Sequence, residues 1–152
     1  MIFQLRWFSL PALGALALVT GCIGGGGPSC GSQTGGPGTP ALAFTSVPAL
    51  GSTDPVKGVE EHVVPTEYYI AIYILVPNQG WWVKPYYDSP ETKLSCNGEF
   101  SSEIVTGGND ANATNITAFL LPTSVSPPLL EGQSALPQSL FKSAAAVASV
   151  TR

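Results

Sequence analysis

The sequence predicts an all-β domain, built as an antiparallel two-sheet sandwich. Three observations carry that expectation. Charged residues make up only 11% of the 152-residue chain, while glycine (17) and proline (14) are plentiful, a balance that favours short strands joined by many turns. The run Tyr68–Val76 is dominated by aromatic and β-branched residues and is apolar on both faces when read with a period of two, as a strand central to a sandwich requires. Turn-forming pairs such as Asn97-Gly98 separate the apolar runs at short intervals.

The folded part is expected to span 41–152. Leu42, Phe44 and Ser46 alternate with smaller residues and give a first strand ending at Val47. Pro48 to Pro55 reads as a loop, Gly58 to Val63 as a second strand, and Pro65 to Glu67 as a turn. In Tyr68–Val76, Tyr68, Ile70, Ile72, Ile74 and Val76 share one face, with Tyr69, Ala71, Tyr73 and Leu75 on the other. Asn78-Gln79-Gly80 turns the chain into a returning partner, Trp81 to Pro85. Thr92–Ser95 and Glu99–Val105 flank Asn97-Gly98 as hairpin arms. A polar loop follows from Thr106 to Thr114, then an apolar strand from Asn115 to Leu121. Pro122 to Pro137 reads as irregular, Ser139–Ala144 as one helical turn that the alanine run could extend, and Ala145–Thr151 as a closing strand. About seven strands with this spacing suit an immunoglobulin-like sandwich. A small β-barrel is the alternative.

Ahead of the domain, Arg6 and an apolar run from Trp7 to Val19 have the charge and length of a secretory signal, and fall short of the ~20 apolar residues of a spanning helix. The run ends in Leu18-Val19-Thr20-Gly21-Cys22, which resembles the lipobox of bacterial lipoproteins. The resemblance implies cleavage after residue 21, with a diacylglycerol on the Cys22 sulfur and a fatty acid such as palmitate on its new amino group. Cys22 is thus the lipidation site, and these covalent lipids are the only attached groups expected. Each buried methylene contributes about 0.8 kcal/mol, so two or more acyl chains hold the protein on the membrane. Ile23 in place of an aspartate implies, by the same resemblance, the outer membrane rather than the inner one. The segment 22–40, with its run Gly24–Gly27, reads as a flexible Gly/Pro/Ser-rich linker, its 18 residues after Cys22 spanning roughly 25 Å.

Removing 1–21 leaves 131 residues with all ten acids and five basic residues, a formal charge of about −5. That balance argues against a nucleic-acid partner. Gly80-Trp81-Trp82, Thr106-Gly107-Gly108, Ala118-Phe119-Leu120 and Pro127-Pro128-Leu129 are together similar to a small β-rich module of secreted bacterial proteins, sometimes found beside carbohydrate-active domains. No functional residue is carried over from that likeness.

With Cys22 acylated, Cys30 and Cys96 are the only pair left for a disulfide in an oxidising compartment, though Cys30 lies in the linker and sequence does not establish the geometry. His62 with Glu60 and Glu61 is an incomplete zinc set, better read as a solvated strand face. Asn109, Asp110 and Asn112 offer oxygen ligands but lack the closing carboxylate of a calcium loop, so side-chain-stabilised turns explain them better. Asn112-Ala113-Thr114 and Asn115-Ile116-Thr117 fit the glycosylation pattern by accident. No carboxylate pair, nucleophile elbow or phosphate loop stands out, so no catalytic or metal-binding residue is assigned. Trp81, Trp82, Tyr86 and Tyr87 are the candidate ligand-binding residues, because flat rings stack on sugars and anchor protein partners. Adjacent strand residues face opposite ways, so one tryptophan should face inward and the other either bind or lie beneath a loop such as Pro122–Pro137. The expected function is a membrane-anchored, non-catalytic β-sandwich at the cell envelope, with carbohydrate or another envelope protein as its partner. The alternatives are an envelope-glycan-acting enzyme with an unrecognised site, or a subunit of an envelope assembly.

Overall fold

A computed structural model describes residues 30–152. The signal segment and Cys22 lie outside the described residues. Among the described residues nine strands form two antiparallel sheets. The smaller contains β1 (Ala41–Ser46), β2 (Val56–Glu61) and β6 (Glu99–Ser102), in the order β1-β2-β6. The larger contains β3 (Tyr68–Val76), β4 (Gly80–Lys84), β5 (Glu91–Lys93), β7 (Asn115–Pro122), β8 (Glu131–Gln133) and β9 (Ala146–Thr151). Its order is β8-β4-β3-β7-β9, with β5 also paired to β3. One short helix, α1 (Gln138–Ser143), precedes β9. The chain is a β-sandwich, and among the described residues no sheet closes into a barrel.

The two apolar faces of β3 explain the layering. Ile70, Ile72, Ile74 and Val76 meet Val56, Phe100, Ile116, Ala118 and Leu120 in a core between the sheets. Tyr69, Ala71 and Tyr73 face the other way, into a second core with Val83, Phe119, Leu121, Leu130 and Leu140. That second core lies under the proline-rich segment and α1, so the segment read as irregular forms a third layer. Two tyrosine hydroxyls fasten it to the sheet: Tyr69 donates to Val125 O and Tyr73 to Pro128 O, 2.9 Å in the second case. Burial, with Glu91 adding to it, pushes the Tyr69 hydroxyl up to about 12, and burial raises Tyr73 also, so both stay protonated donors. The same segment supplies β8, which pairs with β4 and is only three residues long, too short for an alternating pattern to mark it in the sequence.

In the smaller sheet Gly58 lies between Phe44 and Phe100, its partners on either side. The rings meet edge to face across it, 6.4 Å apart. A Cβ at Gly58 would stand 2.4 Å from the Phe100 ring, so only glycine lets the rings close over this strand.

The turn at Asn97-Gly98 forms as expected, with Gly98 at φ 83° and Ser95 N–H donating to Glu99 O at 2.9 Å. Its arms do not remain a paired hairpin. β5 joins β3 and β6 joins β2, in different sheets, linked by the Thr92–Ser102 hydroxyl contact at 2.9 Å. The hydrophobic faces decide this, since Phe100 fills the core between the sheets.

The described part of the presumed linker is attached to the domain. Thr34 N–H donates to Val63 O at 3.0 Å, His62 N–H to Thr34 O at 2.8 Å, and the His62 ring Nδ1 lies 2.9 Å from Gly36 O. Cys30 is disulfide-bonded to Cys96, which joins this strap to the turn between β5 and β6. The strap also overturns the solvated-face reading of Glu60 and His62. Glu60 is fully buried, and the Thr34 hydroxyl bridges both of its carboxylate oxygens at 2.9 Å. β2 ends at Glu61, and His62 takes a left-handed backbone (φ 69°), so strand alternation stops before it. Burial raises the Glu60 carboxyl above its ordinary value; the Thr34 hydroxyl and Val63 backbone oppose this, Glu61 adds to it, and His62 opposes it.

Candidate functional site

The larger sheet outflanks the smaller one. On the inter-sheet face of β4, Trp82 and Lys84 are two residues apart and point the same way, whereas Trp81 and Val83 point to the second core. The inner face of β4 is covered in its outer part by the loop that leaves β6 and runs through Thr106-Gly107-Gly108. Between them lies an open cleft of about 230 Å3, lined by Gln79, Trp82, Lys84, Thr106, Gly107, Gly108, Asn109 and Asp110.

A buried ion pair forms the floor. Lys84 and Asp110 are each 6% exposed, and the Lys84 ammonium contacts Asp110 Oδ2 directly. The ammonium also donates to Thr106 Oγ1 at 3.0 Å, and that hydroxyl donates to Pro85 O at 2.9 Å. Asp110 Oδ2 further accepts the backbone N–H groups of Thr106 (3.0 Å) and Gly107 (3.1 Å). A buried charge is tolerated when it is paired and hydrogen-bonded, and both members of this node are. It also fixes the loop, because one carboxylate oxygen gathers the start of the loop onto β4. Arg152 holds the loop from behind: its Nε donates to Ala113 O at 2.9 Å and its backbone N–H to Thr114 O at 2.8 Å.

Two features of the wall stand out chemically. The Trp82 Nε1–H is buried and has no hydrogen-bond partner among the described residues, a state that costs about 1–3 kcal/mol. Gly107 and Gly108 face open space, with no atom within 4 Å of where a Cβ would stand.

The structure separates the four aromatic residues that the sequence singles out. Trp82 lines the cleft and packs on the inter-sheet core. Trp81 packs on the second core beside Val125 and Leu136, beneath the proline-rich segment. Tyr86 (50% exposed) and Tyr87 (48%) lie outside both cores, after the cis Lys84–Pro85 peptide. Tyr86 donates to Glu103 Oε2 at 3.1 Å, and that bond, together with the Glu103 charge, raises its hydroxyl above the ordinary value.

Asp110 is engaged by Lys84 and by the backbone of its own loop, as the turn-stabilising reading expects. Among the described residues no cluster of His, Cys, Asp and Glu has the make-up of a metal site. Sequence reasoning missed Lys84, which enters there only as part of the returning strand Trp81 to Pro85. The one signal available was its place two residues after Trp82, which puts both on one face.

A second, larger groove of about 680 Å3 runs along β2 and β6, with Lys57, Lys93 and Glu99 among its lining residues. It is wide and open, and Lys57, Lys93 and Glu99 are exposed. The Trp82 cleft is the better-built site because its polar groups are buried and fixed. The chain matches no protein-family model, no curated protein and no solved structure.

Proposed function

We propose that this protein is a lipid-anchored, non-catalytic binding module of the bacterial cell envelope, held by Cys22 and presenting the Trp82 cleft outward. The observation that carries the binding reading is the state of the cleft's charged groups. Lys84 and Asp110 are committed to each other and to Thr106 and Gly107, which suits a rigid recognition surface better than proton transfer or nucleophilic attack. The anchor reading rests on the resemblance of Val19-Thr20-Gly21-Cys22 to a lipobox, and the Cys30–Cys96 bond supports it. Cys30 lies eight residues after Cys22, so an anchor at Cys22 pulls on the domain through a covalent link to the β5–β6 turn. Eight residues reach at most about 28 Å when fully extended, which holds the domain close to the lipid surface.

Metabolic labelling with a radioactive or alkyne-bearing fatty acid in a bacterial host tests the anchor. The account expects label on the full chain and none on Cys22→Ser; label that persists in the variant contradicts it. The binding half is tested by glycan-array and envelope-protein capture with the full chain. A second reading, a subunit of an envelope assembly, is favoured by exposed Phe141 and Val147, which flank Phe119 on the outer side of the larger sheet. A stable hetero-complex lost on Phe141→Ser, with no glycan retained, would select it.

A further inference from the structure

We infer that the Trp82 cleft binds a neutral, polyhydroxylated ring: one sugar unit or the end of a glycan chain. The inference rests on the binding-module reading and names its ligand class.

Charge argues first. Among the described residues the only ionic groups lining the cleft are Lys84 and Asp110, and they neutralise each other in direct contact. An anion at the remaining Lys84 donor would stand beside the Asp110 carboxylate, and a cation at the remaining Asp110 oxygen would stand beside the Lys84 ammonium. Either meets a like charge at close range or must draw the buried pair apart. A neutral ligand leaves the pair intact.

Hydrogen bonding argues next. Lys84 Nζ has three donors and uses two, on Asp110 and Thr106. Among the described residues every hydrogen bond to the Asp110 carboxylate goes to Oδ2, while Oδ1 takes none and is not sealed from solvent. Among the described residues the pair therefore retains a donor on Lys84 and an acceptor on Asp110, two side chains in direct contact. A hydroxyl group donates and accepts at once, so two neighbouring ring hydroxyls satisfy both. Asn109 and Gln79, which also line the cleft, add amide donors and acceptors.

Size and surface complete the match. At about 230 Å3 the cleft falls below the roughly 300–1,000 Å3 of pockets for drug-sized ligands, which suits one ring rather than an extended chain. The Trp82 indole supplies a flat apolar wall for the C–H face of such a ring. Gly107 and Gly108 keep the opposite lip free of side chains.

The test uses the full chain in detergent micelles and saturation-transfer NMR, followed by calorimetric titration. The probes are glucose, galactose, mannose and N-acetylglucosamine with their short oligomers, against glucuronate and glucosamine as charged counterparts. At least one neutral probe is expected to bind, with its charged counterpart at least tenfold weaker. Gly107→Leu should weaken that binding at least tenfold, because a side chain there has room in the fold and stands at the cleft's lip. Asn109→Ala, which leaves the backbone and the ion pair in place, is the second variant and should weaken it at least threefold. Circular dichroism and melting temperature confirm that both variants fold. Tighter binding of a charged counterpart, failure of every neutral probe, or neutral-sugar binding unchanged in both variants would each overturn the inference. If the chain instead captures an envelope protein, or a glycan untouched by either variant, the binding-module reading survives and this ligand assignment fails.

Discussion

Asp110→Ala perturbs the cleft at its most consequential atom. Its side chain is 9% exposed, and its carboxylate has as direct partner the ammonium of Lys84, whose side chain is 7% exposed. Removing it strands a buried ammonium, a change that typically costs about 3–5 kcal/mol. Thr106 N–H and Gly107 N–H lose their acceptor as well, but both stand in a loop beside an open cleft and regain water, which limits their share to roughly 1 kcal/mol together. The expected loss is therefore about 4–6 kcal/mol, close to the whole stability of a marginal domain of this size. Lys84→Met should cost less, about 2–3 kcal/mol, because Asp110 keeps its two backbone donors. In the double variant Lys84→Met/Asp110→Asn no buried charge remains and the amide oxygen still accepts the two N–H groups. Its cost should fall at least 1.5 kcal/mol below the sum of Lys84→Met and Asp110→Asn measured singly. Equilibrium urea unfolding of the wild type and variants, with the disulfide intact, measures this cycle. Additivity within about 0.5 kcal/mol would refute the claim that the pair fixes the loop onto β4.

Further outcomes follow from the packing and the strap. Gly58→Ala places a Cβ 2.4 Å from the Phe100 ring and should destabilise by about 2–3 kcal/mol, with Phe100→Leu in the same chain recovering part of it; thermal melts of the single and double variants check this. Reducing Cys30–Cys96, whose residues are 66 apart in sequence, should cost about 4 kcal/mol by loop-closure entropy and speed amide exchange at Thr34 and His62; unchanged exchange there would show that the strap holds without the bond. For Glu60 the folded carboxyl lies above its ordinary 4.5, so the folded state binds the proton more tightly, and the stability this gives is fully present below about pH 4.5 and lost as pH rises. Glu60→Gln keeps the Thr34 contact without the charge, so it should melt higher than wild type at pH 7 and lose that advantage toward pH 4; a gap equal at both pH values contradicts the assignment. Tyr73→Phe removes the bond to Pro128 O and should cost about 1 kcal/mol while loosening the proline-rich cover, read as faster proteolysis near 122–137.

Strand β3 was fully legible in sequence, at both ends and on both faces, because its alternation is unbroken and each face is independently apolar. Its pairing with β4 follows from the Asn78-Gln79-Gly80 turn, where Asn78 and Gly80 both take positive φ. The opposite orientations of Trp81 and Trp82 follow from strand geometry alone, and the structure shows what covers each. Long-range polar pairing was not legible. Lys84 and Asp110 are 26 residues apart, and nothing local in a Lys-Pro strand end or a Gly-Gly-Asn-Asp loop says that the two charges meet in the interior. Glu60 misled for the same reason: an acid beside an acid reads as solvated, and its burial depends on a threonine 26 residues earlier in a segment whose composition reads as linker. The Asn97-Gly98 turn was visible, but the divergence of its arms was not, since sheet membership is decided by distant apolar partners.

The account centres on a preformed cleft at Trp82, and chemical-shift mapping tests it most directly. In the 15N-labelled full chain the indole N–H of Trp82 gives its own resonance, assigned with Trp82→Phe. Titration with the tightest neutral sugar should shift that resonance together with the backbone N–H signals of Gly107, Gly108 and Asn109, and leave Trp81 unmoved. Shifts confined to Tyr86 and Tyr87, or to the groove at Lys57 and Lys93, with the Trp82 indole unchanged at saturation, would contradict it.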